Sequence, residues 1–224
     1  MGVRRAVAGE PGRRRGQAAM AVWLWLGALV APWGCAGHTV IDPVVDIEGR
    51  RLVVLPFAEA QLARYDSVRG NELARRIAER LLELRRVQGE DEVVDVVRFE
   101  DLVAAVREVD PRTLAPAAIG ARTGADLVLL GEIVEYRTRL PGDVGLLRGR
   151  AEVELRVLDL RAGSQRPVFA SRLRVVYPPE DGSGAGVLAS GEADEAVIER
   201  GLQAALVRRI AELFTYHEVA WMER

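Results

Sequence analysis

Asp126-Leu127-Val128-Leu129-Leu130-Gly131-Glu132-Ile133-Val134-Glu135-Tyr136 decides the fold. Its first half is apolar at every position after Asp126, as in a strand buried on both faces. Its second half is mixed, as in a strand leaving the core, and Gly131 marks a bulge at the change. Upstream, Arg51-Leu52-Val53-Val54-Leu55-Pro56-Phe57 is a continuous apolar run closed by proline, and Val93-Val94-Asp95-Val96-Val97 is a second strand. Helical patterns separate them. Leu73, Ile77, Leu81 and Leu84 share one face of a helix over 71–87, with Ser67 as a candidate N-cap. Helices over 99–109 and 113–123 follow, parted by Pro111. Downstream, Ala151, Val153, Leu155 and Val157 alternate with Glu152, Glu154 and Arg156, while Phe169, Leu173, Val175 and Tyr177 alternate with Arg172 and Arg174. That period of two predicts a hairpin with one face in water, and its parity sets Glu152 and Glu154 opposite Arg172 and Arg174 there. Ile198, Leu202, Leu206 and Ile210 stripe a last helix from about 192 to 214. The order β-α-β-α-α-β-β-β-α predicts an α/β (α+β) fold. Its single mixed five-stranded sheet has three parallel strands, an antiparallel meander and packed helices.

The start of the chain has a different grammar. Residues 1–17 are basic and hold Arg4, Arg5, Arg13, Arg14 and Arg15; residues 18–31 are uncharged and apolar. This is the pattern of a secretory signal, in which the arginines stay on the cytoplasmic side while the apolar run enters the membrane. The triple arginine also invites a twin-arginine reading, against which stands Gly16-Gln17, where that signal has an apolar residue. Next comes Ala31-Pro32-Trp33-Gly34-Cys35-Ala36-Gly37, which resembles a bacterial lipobox, with Pro32 and Trp33 departing from it. Cys35 is the only cysteine, so no intramolecular disulfide is possible. Three fates fit it: lipid acceptor, the neighbourhood of an uncleaved signal anchor continuing to Ile41, and free thiol. The first is favoured, because a single cysteine at the end of an export signal has few other uses. The expected organisation is a signal peptide over 1–34, a lipidated tether over 35–50, a globular mixed-sheet domain over 51–216 and a tail over 217–224.

Charge excludes one class of partner. The chain has 31 basic residues, all arginine, and 33 acidic ones. Without residues 1–34, which hold five of the former and one of the latter, the formal net charge is −6. Nucleic-acid binding needs a cationic stripe, and along the sequence the arginines are scattered. Catalytic chemistry is not written here either. His38 and His217 each lack a ligand at metal spacing. Gly182-Ser183-Gly184-Ala185-Gly186 lacks the Lys-Ser/Thr end of a phosphate loop. Glu90-Asp91-Glu92 reads as a solvated turn, and Trp221 as a tail residue packed on the last helix or offered to a partner. No cofactor or metal is expected.

Four stretches carry a family resemblance: Val53-Val54-Leu55-Pro56-Phe57; Gly70-x-x-Leu73-Ala74; Val94-Asp95; and Thr123-Gly124-Ala125-Asp126-x-Val128-Leu129-x-Gly131-Glu132-Ile133. Over roughly 51–177 they are similar to the domain shared by three groups. These are the curli secretion channel lipoprotein, the lipoprotein activators of penicillin-binding proteins and the amino-terminal domain of TolB. The resemblance implies a periplasmic, non-catalytic protein anchored to the outer (or inner) membrane, which binds envelope proteins or cell-wall components. It implies no catalytic residues. A homo-oligomer and a subunit of a curli-type secretion channel are the alternatives, although no pair of long alternating segments is present to supply membrane-spanning hairpins. An unrecognised hydrolase is the remaining one. The expected contact surfaces are the polar face of the meander and two loops, Ala58–Arg69 and Asp181–Gly191.

The leader generates a direct expectation. Cys35→Ala should release the protein from membranes without lowering its melting temperature, since Cys35 lies outside every predicted core element. Labelling cells with a radioactive fatty acid checks it: absence of label on the wild type shifts the anchor to an uncleaved helix.

Overall fold

Among the described residues, the apolar runs at 51–57, 127–130 and 151–157 are buried in the manner their periodicity requires. The structure, a computed structural model, describes residues 38–59, 62, 66–88, 95–107, 115–140, 146–161, 167–179, 187–188 and 192–220. All belong to the unit His38–Arg224. The strands are β1 (His38–Ile41), β2 (Arg51–Val54), β3 (Ala58–Glu59), β4 (Asp95–Val96), β5 (Leu127–Arg137), β6 (Leu146–Leu147), β7 (Gly149–Asp159), β8 (Pro167–Tyr177), β9 (Val187–Leu188) and β10 (His217–Ala220). The helices are α1 (Val68–Gln88), α2 (Phe99–Val106), α3 (Pro116–Thr123) and α4 (Glu192–Ala211).

The main sheet runs β4-β2-β5-β7-β8, and β3 also pairs with β5. β2 is parallel to β4 and β5, whereas β5, β7 and β8 form an antiparallel meander. The mixed sheet and packed helices are those expected. A sixth strand is added because the chain re-enters the ladder as β3 at Ala58–Glu59, the start of the expected loop Ala58–Arg69.

Alternation explains the layers. On β2, Leu52 and Val54 join one core with α1 and α4, while Val53, and Leu55 just beyond the strand, join a second with α2 and α3. On β5, Leu127 and Leu129 face the first core and Val128 the second. Both faces of β2 and early β5 are therefore covered, which is why their sequences are apolar throughout. On β7, Ala151, Val153, Leu155 and Val157 all enter the first core. The α2–α3 core takes none of the β7 residues and only Leu158 packs against it, so the other face of β7 carries charge.

Phe57 locks this frame. It is fully buried, and its N–H donates to the Gly70 carbonyl at 3.2 Å. A Cβ on Gly70 would lie 2.0 Å from the Phe57 carbonyl oxygen, and one on Gly131 would lie 2.2 Å from the Phe57 ring. Gly131 is thus a socket for the ring. The bulge expected at Gly131 is instead between Ile133 and Glu135, where the β5–β7 register shifts. Ser67 caps α1: its Oγ accepts the Gly70 N–H at 2.7 Å and donates to Glu59. The helix accordingly begins at Val68.

Two expectations about the ends are corrected. Residues 38–50 are not a free tether: Val45 and Ile47 are buried in the first core, and the Val45 N–H donates to the Leu213 carbonyl at 2.9 Å. Their alternation with Asp46 and Glu48 is a short buried-face pattern. Nor are residues 217–220 a loose tail, since β10 pairs antiparallel with β1. In the expected loop Asp181–Gly191, β9 pairs with β6.

Gly131→Ala should destabilise the domain by about 1–3 kcal/mol through overpacking against Phe57. Urea unfolding should find Gly131→Ala with Phe57→Leu less destabilised than the sum of the single variants, since the two side chains share one space.

Candidate functional site

Strand β8 closes the main sheet, and among the described residues its outer edge has no partner strand. Of its even positions, Val168, Ala170, Arg172 and Arg174 are exposed, while Phe169, Leu173, Val175 and Tyr177 pack against the first core. The register sets Glu152 opposite Arg174 and Glu154 opposite Arg172, as parity predicts. One refinement concerns exposure. Glu152 is only 6% exposed, because Arg172 and Arg174 both close over its carboxylate; the Arg174 Nη2–Oε2 distance is 3.2 Å. Arg172 also reaches Glu154 at 3.9 Å. The two guanidiniums remain over half exposed, so a cationic row borders the strand's open edge.

A groove of about 810 Å³ reaches the C-terminal end of this strand. Arg174, Val175, Val176 and Tyr177 all line it. Successive strand residues point to opposite faces. The cavity therefore meets both faces of the strand's last four residues and not its whole length. One wall is Arg76, Glu79, Arg80 and Glu83, a single stripe of α1. The other is α4, with Gly201, Ala204, Ala205 and Val207 forming a small apolar floor and Arg208 and Arg209 at the rim. Gly201 is required, because a Cβ there would lie 2.1 Å from the Tyr177 ring. The arginines, scattered along the sequence, are gathered here: five line the groove against two glutamates. Their anchoring is mainly local. Arg76 pairs with Glu72 at 2.6 Å, Arg80 with Glu83 at 3.3 Å and Arg209 with Glu212 at 2.9 Å, while Arg208 approaches Glu212 at 3.9 Å.

A second, smaller cavity of about 430 Å³ is lined by Glu59, Leu62, Arg69, Ile133, Val134, Glu135 and Tyr136. The Arg69 guanidinium stacks 4.4 Å from the Tyr136 ring centre and pairs with Glu59 at 3.5 Å. The Tyr136 hydroxyl donates to the Glu199 backbone carbonyl at 3.3 Å. Burial, helped by the Glu199 charge and opposed by Arg69, pushes this phenol up to about 12. A phenol so held stays neutral, which suits a packing and stacking role better than acid–base work.

Asp126, the acid of the Thr-Gly-Ala-Asp stretch, is a structural joint. Its carboxylate accepts two hydrogen bonds from Arg161, at 2.7 and 2.8 Å, and one from the Arg51 N–H at 3.0 Å. Arg161, then the Arg51 backbone, holds it below the usual carboxylate range. Gly124 precedes it in the left-handed region at φ 67°, ending α3.

His38 and His217 both fall on the β1–β10 ladder, opposite Ala220 and Ile41 respectively. Among the described residues no group of three or more His, Cys, Asp or Glu could hold a metal. No described helix is long and apolar enough to cross a membrane. Cys35, Glu90-Asp91-Glu92, Gly182–Gly186 and Trp221 lie outside the described residues.

No family model matches the chain, and no curated protein matches it by sequence. Solved structures do align. Lipoprotein GNA1162 from Neisseria meningitidis is 15% identical, with 72% of this chain and 98% of that one covered, at TM-score 0.42. A PelC dodecamer from Paraburkholderia phytofirmans is 16% identical over 80% and 99% of the chains, at TM-score 0.37. The LpoB C-terminal domain from Salmonella enterica is 15% identical over 57% and 83%, at TM-score 0.30. At these scores the likeness decides no role, and the functional reading rests on this chain's own sequence and geometry.

The ion-pair cluster makes an asymmetric expectation. Removing both arginines, as Arg172→Ala with Arg174→Ala, should cost about 1–3 kcal/mol because it strands a buried carboxylate. Glu152→Gln should cost less, since the exposed guanidiniums return to water. Thermal melts of the two variants check the order.

Proposed function

We propose that this chain is a non-catalytic envelope protein, tethered by a lipid on Cys35, that acts as an adaptor or assembly factor by holding another envelope protein or a cell-wall component. The observation that carries the binding half of this reading is the edge of β8: a long strand with an open side, a row of arginines and an accessible groove beside it. A sheet edge with unpaired backbone groups is a standing template for another chain. The export-like leader and the cysteine that ends it support the location. Two further features favour binding over catalysis. The two grooves are open, and their acids are engaged with arginines that hold the surface in shape. The Asp126 carboxylate is likewise committed to Arg161 and Arg51.

The test is site-specific photocrosslinking in cells. A crosslinking residue at Val168 or Arg172 should trap an envelope component, whereas one at Val103, on α2, should not. Absence of crosslinks from every exposed position tested, together with hydrolytic activity of the purified chain, would replace this reading with the hydrolase alternative. Conductance across liposomes by the purified chain would replace it with the channel alternative.

A further inference from the structure

The arginine-rimmed edge narrows the kind of partner. We propose that β8 and its groove receive an extended acidic segment of another protein, laid down as an added strand. This deepens the adaptor reading and rests on it.

Three observations converge. The first is the open edge of β8, which among the described residues pairs only with β7. An added strand would satisfy its outward backbone groups. The second is charge. Arg76, Arg80, Arg174, Arg208 and Arg209 line the groove, and Arg172 stands beside it on the exposed face of the strand. Arg208 is 72% exposed and Arg209 62% exposed, so both present guanidiniums to an incoming carboxylate. Guanidinium forks bind carboxylates in bidentate geometry. The third is the floor. Val175, Tyr177, Ala204, Ala205 and Val207 are apolar or small. An extended segment presents alternate side chains to opposite sides. One set would rest on this floor and the other would meet Arg172 and Arg174.

The same features argue against the other occupants. A second copy pairing β8 to β8 would set arginine rows against each other, and like charges across a ladder are destabilising. The opposite sheet edge, β4, has only two residues in the ladder among the described residues.

The experiment measures binding of fluorescent synthetic peptides to the full-length chain in detergent micelles. The probes are a peptide of alternating Glu and Val, its Arg-Val counterpart, and a Glu-Val peptide N-methylated on alternate amides. The Glu-Val peptide should bind and the Arg-Val peptide should not. N-methylation along the pairing edge should abolish binding, which distinguishes strand addition from simple charge attraction. Arg208→Glu with Arg209→Glu should weaken binding roughly tenfold, the scale of losing close charge contacts. Both residues pair with Glu212 at the end of α4, so binding is compared at a temperature where melts show both proteins folded. Equal binding of both charge types, or indifference to N-methylation, overturns the proposal, as does a self-crosslinked dimer through Val168. Failure here with envelope crosslinks arising elsewhere, at Leu62 or Val134, would leave the adaptor reading standing and remove only this site. Failure of both removes both.

Discussion

The burial of the Phe57 ring over Gly131 is the contact on which the rest of the architecture depends. It joins three elements at one point: the end of β2 after Pro56, the start of α1 at Gly70, and the middle of β5. Each neighbour is glycine for a steric reason, since backbone or ring occupies the space a Cβ would need. Fully burying a phenylalanine contributes about 1.5–3 kcal/mol, but its geometric consequence is larger. With Phe57 seated, the chain turns through β3 to Glu59, whose carboxylate accepts from Ser67, and Ser67 caps α1. The direction of α1, and so one wall of the groove, follows from that cap.

A second constraint shapes the opposite side of the sheet. Two cores exist because β2 and early β5 are covered on both faces, but only the α1–α4 core extends under β7 and β8. The uncovered face of the meander must be polar, and the sequence makes it charged. Glu152 shows the result: set on the solvent side by parity, it is nevertheless buried by the arginines across from it. A ladder of long side chains here does the shielding that a helix does on the other half.

Much of this was legible in the sequence, and the failures have one cause. The continuous runs at 51–57 and 126–130, and the strict alternation at 151–157, report local burial, and local burial sets strand type and register parity. Ser67 as cap was legible because capping is local. What escaped depends on chain segments far apart. Val45 and Ile47 looked like tether because an alternation of four residues among turns is too short to read as a strand, and their burial depends on Leu213 and its neighbours. β1 and β10 are short strands at opposite ends of the chain, recognisable only once paired. Gly131 was legible as exceptional but not for its reason, because the ring that needs its space comes from Phe57, between β2 and β3. The groove was invisible for the same reason: Arg76 and Arg80 belong to one helix and Arg208 and Arg209 to another, and nothing local says that those helices face each other.

An open edge strand of this length is ordinarily a hazard, because it will pair with whatever strand it meets. Charge resolves the conflict between exposure and selectivity. Arg172 and Arg174 are held in place by Glu152, so they form a fixed row rather than a diffuse cloud. A fixed cationic row repels its own copy and neutral strands gain nothing from it, whereas an acidic strand gains at alternate positions. Under the acidic-strand proposal the buried glutamate would have a role beyond stability. Without it the arginines could swing into solvent and the edge would lose its discrimination while keeping its stickiness. Specificity of this kind lies in the penalty imposed on wrong partners as much as in the attraction of the right one.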